Sequence, residues 1–186
     1  ALTKAFSAFE AIGIIGPRSG ALQPWRVIDL ACGGGEASTA LATWWDERGI
    51  AHGKRKRTSL DIEACDPYAG IRELYARQTG RVAEPWSFAD VANGVLETRR
   101  SYDLVLASFC LHLLEGSSEL QATLRALARR SRLLCVAAPH KKPIIDAVAT
   151  GWRRVGQEVV LADETDEGST RHRVRVRLYQ SSLVDV

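Results

Sequence analysis

The segment VIDLACGGGE, Val27 to Glu36, constrains the fold more than any other part of the chain. A short β-branched apolar run ends in an acidic residue, and three glycines follow at once, so a buried strand must turn sharply into whatever comes next. Glycine belongs where φ is positive or where another group approaches the backbone too closely for a Cβ. Glu36 to Arg48 then carries Leu41, Trp44 and Trp45 for one helical face, with Gly49 as the expected stop. Strand, tight glycine turn and helix together predict the opening unit of an α/β fold.

The rest of the chain repeats that alternation. Leu2, Phe6 and Phe9 predict an N-terminal helix within 2–15, closed by Gly16 and Pro17. Residues 1–24 are read as this helix and its connection, and 25–186 as the core of a single domain. Strands are predicted over Ser59 to Cys65, Tyr102 to Phe109 and Arg132 to Ala138, with a weaker one over Arg81 to Phe88, interrupted by Pro85. Helices are predicted from Ala69 to Gln78, over 91–100 and from Ser118 to Arg130. A further helix is opened by Pro143 and carries Ile145, Val148, Ala149 and Trp152. Glu158 to Ala162 and His172 to Tyr179 read as two strands joined by a loop too short for a helical crossover, hence a hairpin. The outcome is an α/β fold: a mostly parallel sheet flanked by helices, with one antiparallel strand. Ligands of such sheets bind outside the carboxyl ends of the strands, where the strand order reverses.

Composition removes several function classes. The chain has 186 residues, 46% of them apolar, and a formal charge of only +3. No run approaches the ~20 apolar residues of a membrane helix, and the first thirty residues lack a secretory layout, which predicts an intracellular protein, cytoplasmic or nuclear. Cys32, Cys65, Cys110 and Cys135 lie far apart in apolar runs. They read as reduced, buried thiols and not as a metal site. The chain holds no Met and opens on Ala1, which leaves room for a longer parent protein.

The glycine register separates the candidate ligands. A dinucleotide fingerprint reads G-x-G-x-x-G, whereas here Ser38 stands in the last place and no phosphate-binding Lys follows. A nicotinamide-dependent oxidoreductase and a P-loop enzyme are both disfavoured on that ground. The order Asp29, Ala31, Gly33, Gly35 instead resembles motif I of the class I S-adenosylmethionine-dependent methyltransferases, with Ala31 in the place of the first glycine. The resemblance spans residues 25–180 and implies a seven-stranded, mostly parallel sheet with helices on both faces and a C-terminal antiparallel hairpin.

The same resemblance implies S-adenosylmethionine as cofactor and assigns its contacts. Asp29, Ala31 and the backbone of Gly33, Gly34 and Gly35 would bound the methionine end. Asp66, closing the second strand, would accept the ribose hydroxyls, as a carboxylate does well. Pro67 and Tyr68 would pack on the adenine, Asp90 would take its amino group beside Ala89 and Val91, and Ser108 and Phe109 would line the site after the fourth strand. Taken singly, Asp29 and Asp66 also read as strand-end turn residues, and Asp90 as a helix cap.

The wording SFCLHLL, Ser108 to Leu114, is similar to small-molecule and carboxyl methyltransferases of the class. His112 and His140 are the candidate general bases, because imidazole titrates near neutrality. Lys54, Arg55, Lys56 and Arg57 form one basic run, and Arg171, Arg173, Arg175 and Arg177 alternate along the last strand. Either could track RNA phosphates or lie on a solvated face. RNA or protein and a small molecule therefore both stand as acceptors. A methyltransferase-like subunit that binds cofactor or a protein partner without turnover is the alternative.

Overall fold

The structure, a computed structural model, describes residues 2–16, 23–51, 58–114, 116–139, 141–162 and 173–184. Seven strands form one sheet: β1 (Trp25–Leu30), β2 (Leu60–Cys65), β3 (Ala83–Glu84), β4 (Tyr102–Ser108), β5 (Ser131–Ala138), β6 (Trp152–Ala162) and β7 (Arg173–Ser181). Their order is β3-β2-β1-β4-β5-β7-β6. The pairings from β3 through β5 are parallel, and β7 runs antiparallel to both β5 and β6. The order reverses between β1 and β4, which places the ligand crevice of such a sheet at their carboxyl ends.

The α-helices are α1 (Leu2–Ala11), α2 (Glu36–Ala51), α3 (Ala69–Thr79), α4 (Phe88–Ala92), α5 (Ser118–Arg130) and α6 (Ala147–Thr150). Two cores sandwich the sheet, and the period-two geometry of the strands divides residues between them. Val27, Leu104, Leu106, Leu133 and Cys135 face Phe6 and Phe9 of α1 and Leu41, Trp44 and Trp45 of α2. Ile28, Leu30, Val105, Leu134 and Val136 face Val91 of α4 and Leu120, Leu124 and Leu127 of α5. Helices thus cover both faces, as expected for a parallel sheet whose central strands read as continuous apolar runs.

Several boundaries differ from expectation for local reasons. Gly13, at φ 71°, follows the end of α1 before the Gly16-Pro17 pair is reached. Helix α2 continues through Gly49 to Ala51. The weak third strand shrinks to two residues ahead of Pro85. The helix expected over 91–100 is instead α4 followed by a 3-10 turn, Val95–Thr98, because left-handed Gly94 interrupts it. The largest correction concerns Trp152. The expected helix after Pro143 is only the single turn α6, capped by Asp146, whose side chain accepts the Ala149 N–H, and ended by left-handed Gly151. Trp152 opens an eleven-residue β6, fully buried, with its indole donating to the Leu124 carbonyl at 2.8 Å.

All four cysteines are free and buried. Burial pushes the Cys65 and Cys135 thiols up to about 12, and raises Cys32 and Cys110 as well, so all four are unreactive packing groups. Among the described residues no helix is long and apolar enough to cross a membrane, and no cluster of side chains could hold a metal ion.

Candidate functional site

The glycine turn is built from alternate left-handed residues. Ala31, Gly33 and Gly35 have φ of 50°, 56° and 92°. This backbone accounts for the x-G-x-G-x-G pattern directly, because each of the three positions disfavours a side chain. The turn is tied to its neighbours through the Cys32 N–H, which donates to the Cys65 carbonyl at 3.0 Å, and the Cys110 thiol, 3.5 Å from the Leu30 carbonyl. The segments leaving β1, β2 and β4 are therefore laced together at one end of the sheet.

The glycines do different work. A Cβ on Gly35 would stand 2.5 Å from Thr79 Cγ2 and 3.0 Å from the Tyr75 ring, so this glycine lets α3 pack against the turn. A Cβ on Gly34 would stand 2.7 Å from both Gln78 Oε1 and Glu36 Oε1. Over Gly33 the space is open, with Glu36 Oε2 the nearest atom at 3.7 Å.

Asp29 lies directly beneath this turn, 1% exposed. Its Oδ2 accepts the Ser38 N–H at 3.1 Å and the Ser38 hydroxyl at 2.6 Å. Burial raises its carboxyl from 3.8 to about 7, the Ser38 bonds oppose that rise, and Glu36 adds to it. Asp66 closes β2, also buried, and its Oδ1 accepts the Tyr68 N–H at 3.0 Å, the bond that turns the chain toward α3. Pro67 and Tyr68 follow at the surface, Tyr68 71% exposed. The Asp29 bonds to Ser38 span the turn, and the Cys32 N–H bond to the Cys65 carbonyl brings Asp66 beside it.

Asp90 has a structural task. Its Oδ2 accepts the Ser87 N–H at 2.8 Å and the Ser87 hydroxyl at 2.6 Å, while its own N–H donates back to Ser87 Oγ. This is a capping box at the start of α4, and the Ser87 bonds hold its carboxyl below the usual carboxylate range. The Oδ1 atom takes no part in the box. Ala89 lies beside it in α4.

Beyond β4, Ser108 is the last strand residue and Phe109 takes a left-handed φ of 54° while 46% exposed. A bulky residue in that conformation is a genuine outlier, held here by the Phe109 N–H bond to the Ala137 carbonyl of β5 at 2.8 Å. His112 is half-buried on the 3-10 turn Leu111–Leu114, and its Nδ1 is buried without a hydrogen-bond partner among the described residues. His140, Arg171 and the run Lys54, Arg55, Lys56 and Arg57 lie outside the described residues.

Two arginines of the last strand are engaged within the protein. Arg177 is buried and donates to the carbonyls of Lys141, Lys142 and Pro143 at 2.7, 2.9 and 3.0 Å, and Arg175 pairs with Glu158. Only Arg173 of the described three stands exposed. Alternation could not show that the loop after β5 folds over Arg177 and accepts from its guanidinium, or that Arg175 pairs across the hairpin with Glu158. Sequence reasoning also missed the roles of Ser38 and Tyr75. Ser38 entered only as a departure from the dinucleotide register, and a tyrosine at a buried helical position is the signal that would have found the other.

No family model matches the chain. It is 37% identical over 138 residues to an uncharacterized protein of Schizosaccharomyces pombe, a match covering 63% of this chain and 55% of the relative, so it spans about half the length of that relative. Among solved structures it is similar to magnesium protoporphyrin IX methyltransferase from Synechocystis with bound S-adenosylmethionine. That match has a TM-score of 0.58 at 16% identity and covers 97% of this chain and 80% of the other. The N-methyltransferase NodS from Bradyrhizobium japonicum, solved with S-adenosyl-L-homocysteine, matches with a TM-score of 0.58 at 12% identity, covering 96% and 86%. A chain from a complex of the Haloferax volcanii Trm112 methyltransferase activator matches with a TM-score of 0.57 at 12% identity, covering 97% and 94%. With the strand order and the glycine turn, these likenesses show that the chain has the fold of the class I S-adenosylmethionine-dependent methyltransferases.

Proposed function

We propose that this chain is an S-adenosylmethionine-dependent methyltransferase. The observation that carries the reading is the glycine turn itself: a cradle left open only over Gly33 and flanked by the buried carboxylates of Asp29 and Asp66. Such a site suits a ligand with a cationic amino-acid end and a ribose diol, and the cofactor fits both demands. When bound, it supplies a methyl group activated by a sulfonium centre.

The residues of the chain then divide the work. Asp29, Ala31 and the Gly33–Gly35 backbone hold the methionine end, and Asp66 accepts the ribose hydroxyls. Pro67 and Tyr68 cover one side of the adenine, while Ala89 and the uncommitted Oδ1 of Asp90 meet its edge. Ser108 and Phe109 bound the side on which the acceptor enters. His112, on the 3-10 turn after β4, would be the group to receive a proton from the acceptor as it is methylated.

The chain after β4 offers apolar groups to the acceptor: Phe109 and Leu113 are 46% and 73% exposed. This rim suits an apolar small molecule better than a phosphate backbone, and the internal bonding of Arg177 points the same way. A second reading, a cofactor-binding subunit that serves a protein partner, is favoured by one observation: a fold neighbour comes from a complex with a methyltransferase activator.

Titration with S-adenosylhomocysteine tests the cofactor site. Asp66→Ala should weaken binding by about 1–3 kcal/mol, the contribution of a charged hydrogen bond. Equal affinity in wild type and variant would remove Asp66 from the site, and no binding by the folded wild type would remove the reading.

A further inference from the structure

Asp29 is a carboxylate taken out of water, and among the described residues no cationic side chain acts on it. The groups that act on it or feel its charge are acids or weak acids: Glu36 from α2, Tyr75 from α3, and the thiols of Cys32 in the turn, Cys65 on β2 and Cys110 after β4. Hydrogen bonds must therefore hold whatever charge it carries. Its strongest partner is the Ser38 hydroxyl at 2.6 Å, a separation typical of a hydroxyl bonded to an ionised acceptor.

A serine hydroxyl has one proton. If that proton lies toward Asp29, the second contact of Ser38 Oγ, 3.2 Å from the Tyr75 hydroxyl, can be filled only by a proton from Tyr75. All three side chains are essentially inaccessible to water, so no solvent molecule at the surface substitutes for either bond. Tyr75 also forms the wall against which Gly35 packs, and its helix α3 starts just after Asp66. One side chain thus connects the acid of β1 to the helix that follows the acid of β2.

We propose that Tyr75 is a positioning residue of the cofactor cradle: its hydroxyl donates to Ser38, which commits the Ser38 proton to Asp29 and holds that carboxylate ready beneath the glycine turn. The inference rests on the cofactor-binding reading for its consequence, but the hydrogen-bond chain exists independently of any ligand. Donation along the chain stabilises the ionised carboxylate in the direction opposite to burial, and the ionised form is the one that attracts a cationic ligand. Tyr75 touches neither the turn's open face nor a reacting atom, and acts through Ser38.

The test follows the Asp29 carboxyl carbon by NMR across pH in the ligand-free protein, together with S-adenosylhomocysteine affinity over the same range. Tyr75→Phe removes the hydroxyl and keeps the ring that packs on Gly35. It should move the Asp29 midpoint upward and weaken binding at neutral pH about three- to tenfold, the effect of one hydrogen bond, with affinity recovering at higher pH. Ser38→Ala should move the midpoint further, and adding Tyr75→Phe to it should change nothing more, because the intermediary is gone. An unchanged midpoint in folded Tyr75→Phe overturns the proposal, as does an equal effect of Tyr75→Phe with and without Ser38. Normal titration shifts in a wild type that binds no S-adenosylhomocysteine would leave the hydrogen-bond chain standing and remove the cofactor reading instead.

Discussion

Two neighbouring glycines should separate ligand binding from stability when each is replaced by alanine. Gly33 has φ 56° and open space where a Cβ would stand, so Gly33→Ala carries mainly the left-handed backbone cost of about 1 kcal/mol. For a chain of this size that is a fall of roughly 2–4 °C in Tm. Gly35→Ala meets the same backbone objection at φ 92°, and its methyl would also stand 2.5 Å from Thr79 Cγ2 and 3.0 Å from the Tyr75 ring. Overpacking of that kind adds about 1–3 kcal/mol, so the total is about 3 kcal/mol, or roughly 6–12 °C. Binding should follow the opposite order relative to these costs. The Gly33 methyl enters the cradle and should reduce S-adenosylhomocysteine affinity about tenfold or more in a protein that is still well folded, a loss of about 1.4 kcal/mol or greater. Urea unfolding followed by tryptophan fluorescence, with calorimetric titration of each variant, measures both quantities. Wild-type affinity in Gly33→Ala would refute the assignment of the open space to a ligand, and equal stability of the two variants would refute the packing argument.

Asp29 predicts a pH dependence with a definite sign. Its folded carboxyl titrates near 7 against an ordinary 3.8, so the protonated form is favoured by folding, and the associated stability is present below about 4 and lost as pH rises toward 7. Asp29→Asn should therefore gain stability relative to wild type as pH rises from about 4, levelling off above about 7 at up to on the order of 4 kcal/mol, while weakening cofactor binding; unfolding midpoints of the pair across pH check this. Arg177→Met should cost about 2–4 kcal/mol, because the buried guanidinium and its bonds to the buried Pro143 carbonyl and the part-buried Lys141 and Lys142 carbonyls are lost, and should leave the salt dependence of any RNA association unchanged. A fall in the salt slope would restore that arginine to a phosphate-binding role. Ser117→Ala should cost about 1 kcal/mol by uncapping α5, where its hydroxyl accepts the Leu120 N–H at 3.1 Å, measured as a lower urea midpoint.

What could be read from the sequence follows the physics of each element. The central strands β1, β4 and β5 are continuous apolar runs buried on both faces, so their positions were legible to within a residue, and α5 carried a clean leucine stripe. The turn after β1 was legible because left-handed backbone selects glycine, and Ala31 at φ 50° shows the same constraint met at a cost. Trp152 was misplaced because periodicity cannot tell a residue that closes a helix from one that opens a strand one position beyond a left-handed glycine. Asp90 illustrates a different limit: one carboxylate can serve a cap and a ligand with different oxygens, and only geometry shows that Oδ2 is already taken. The Asp29–Ser38–Tyr75 chain was invisible because it joins residues nine and thirty-seven positions apart through buried side chains that no local pattern connects.

The central claim is that a cofactor binds across the carboxyl ends of β1, β2 and β4. Amide spectra of the isotope-labelled wild-type chain, recorded during titration with S-adenosylhomocysteine, address it residue by residue. The account predicts that Gly33, Gly35, Tyr68 and Phe109 move together along one saturable curve, while amides at the far side of the β6–β7 hairpin stay in place. Saturation mapped instead to the cavity of about 490 Å³ between the start of α5 and α6, or no change in a folded spectrum, would contradict it.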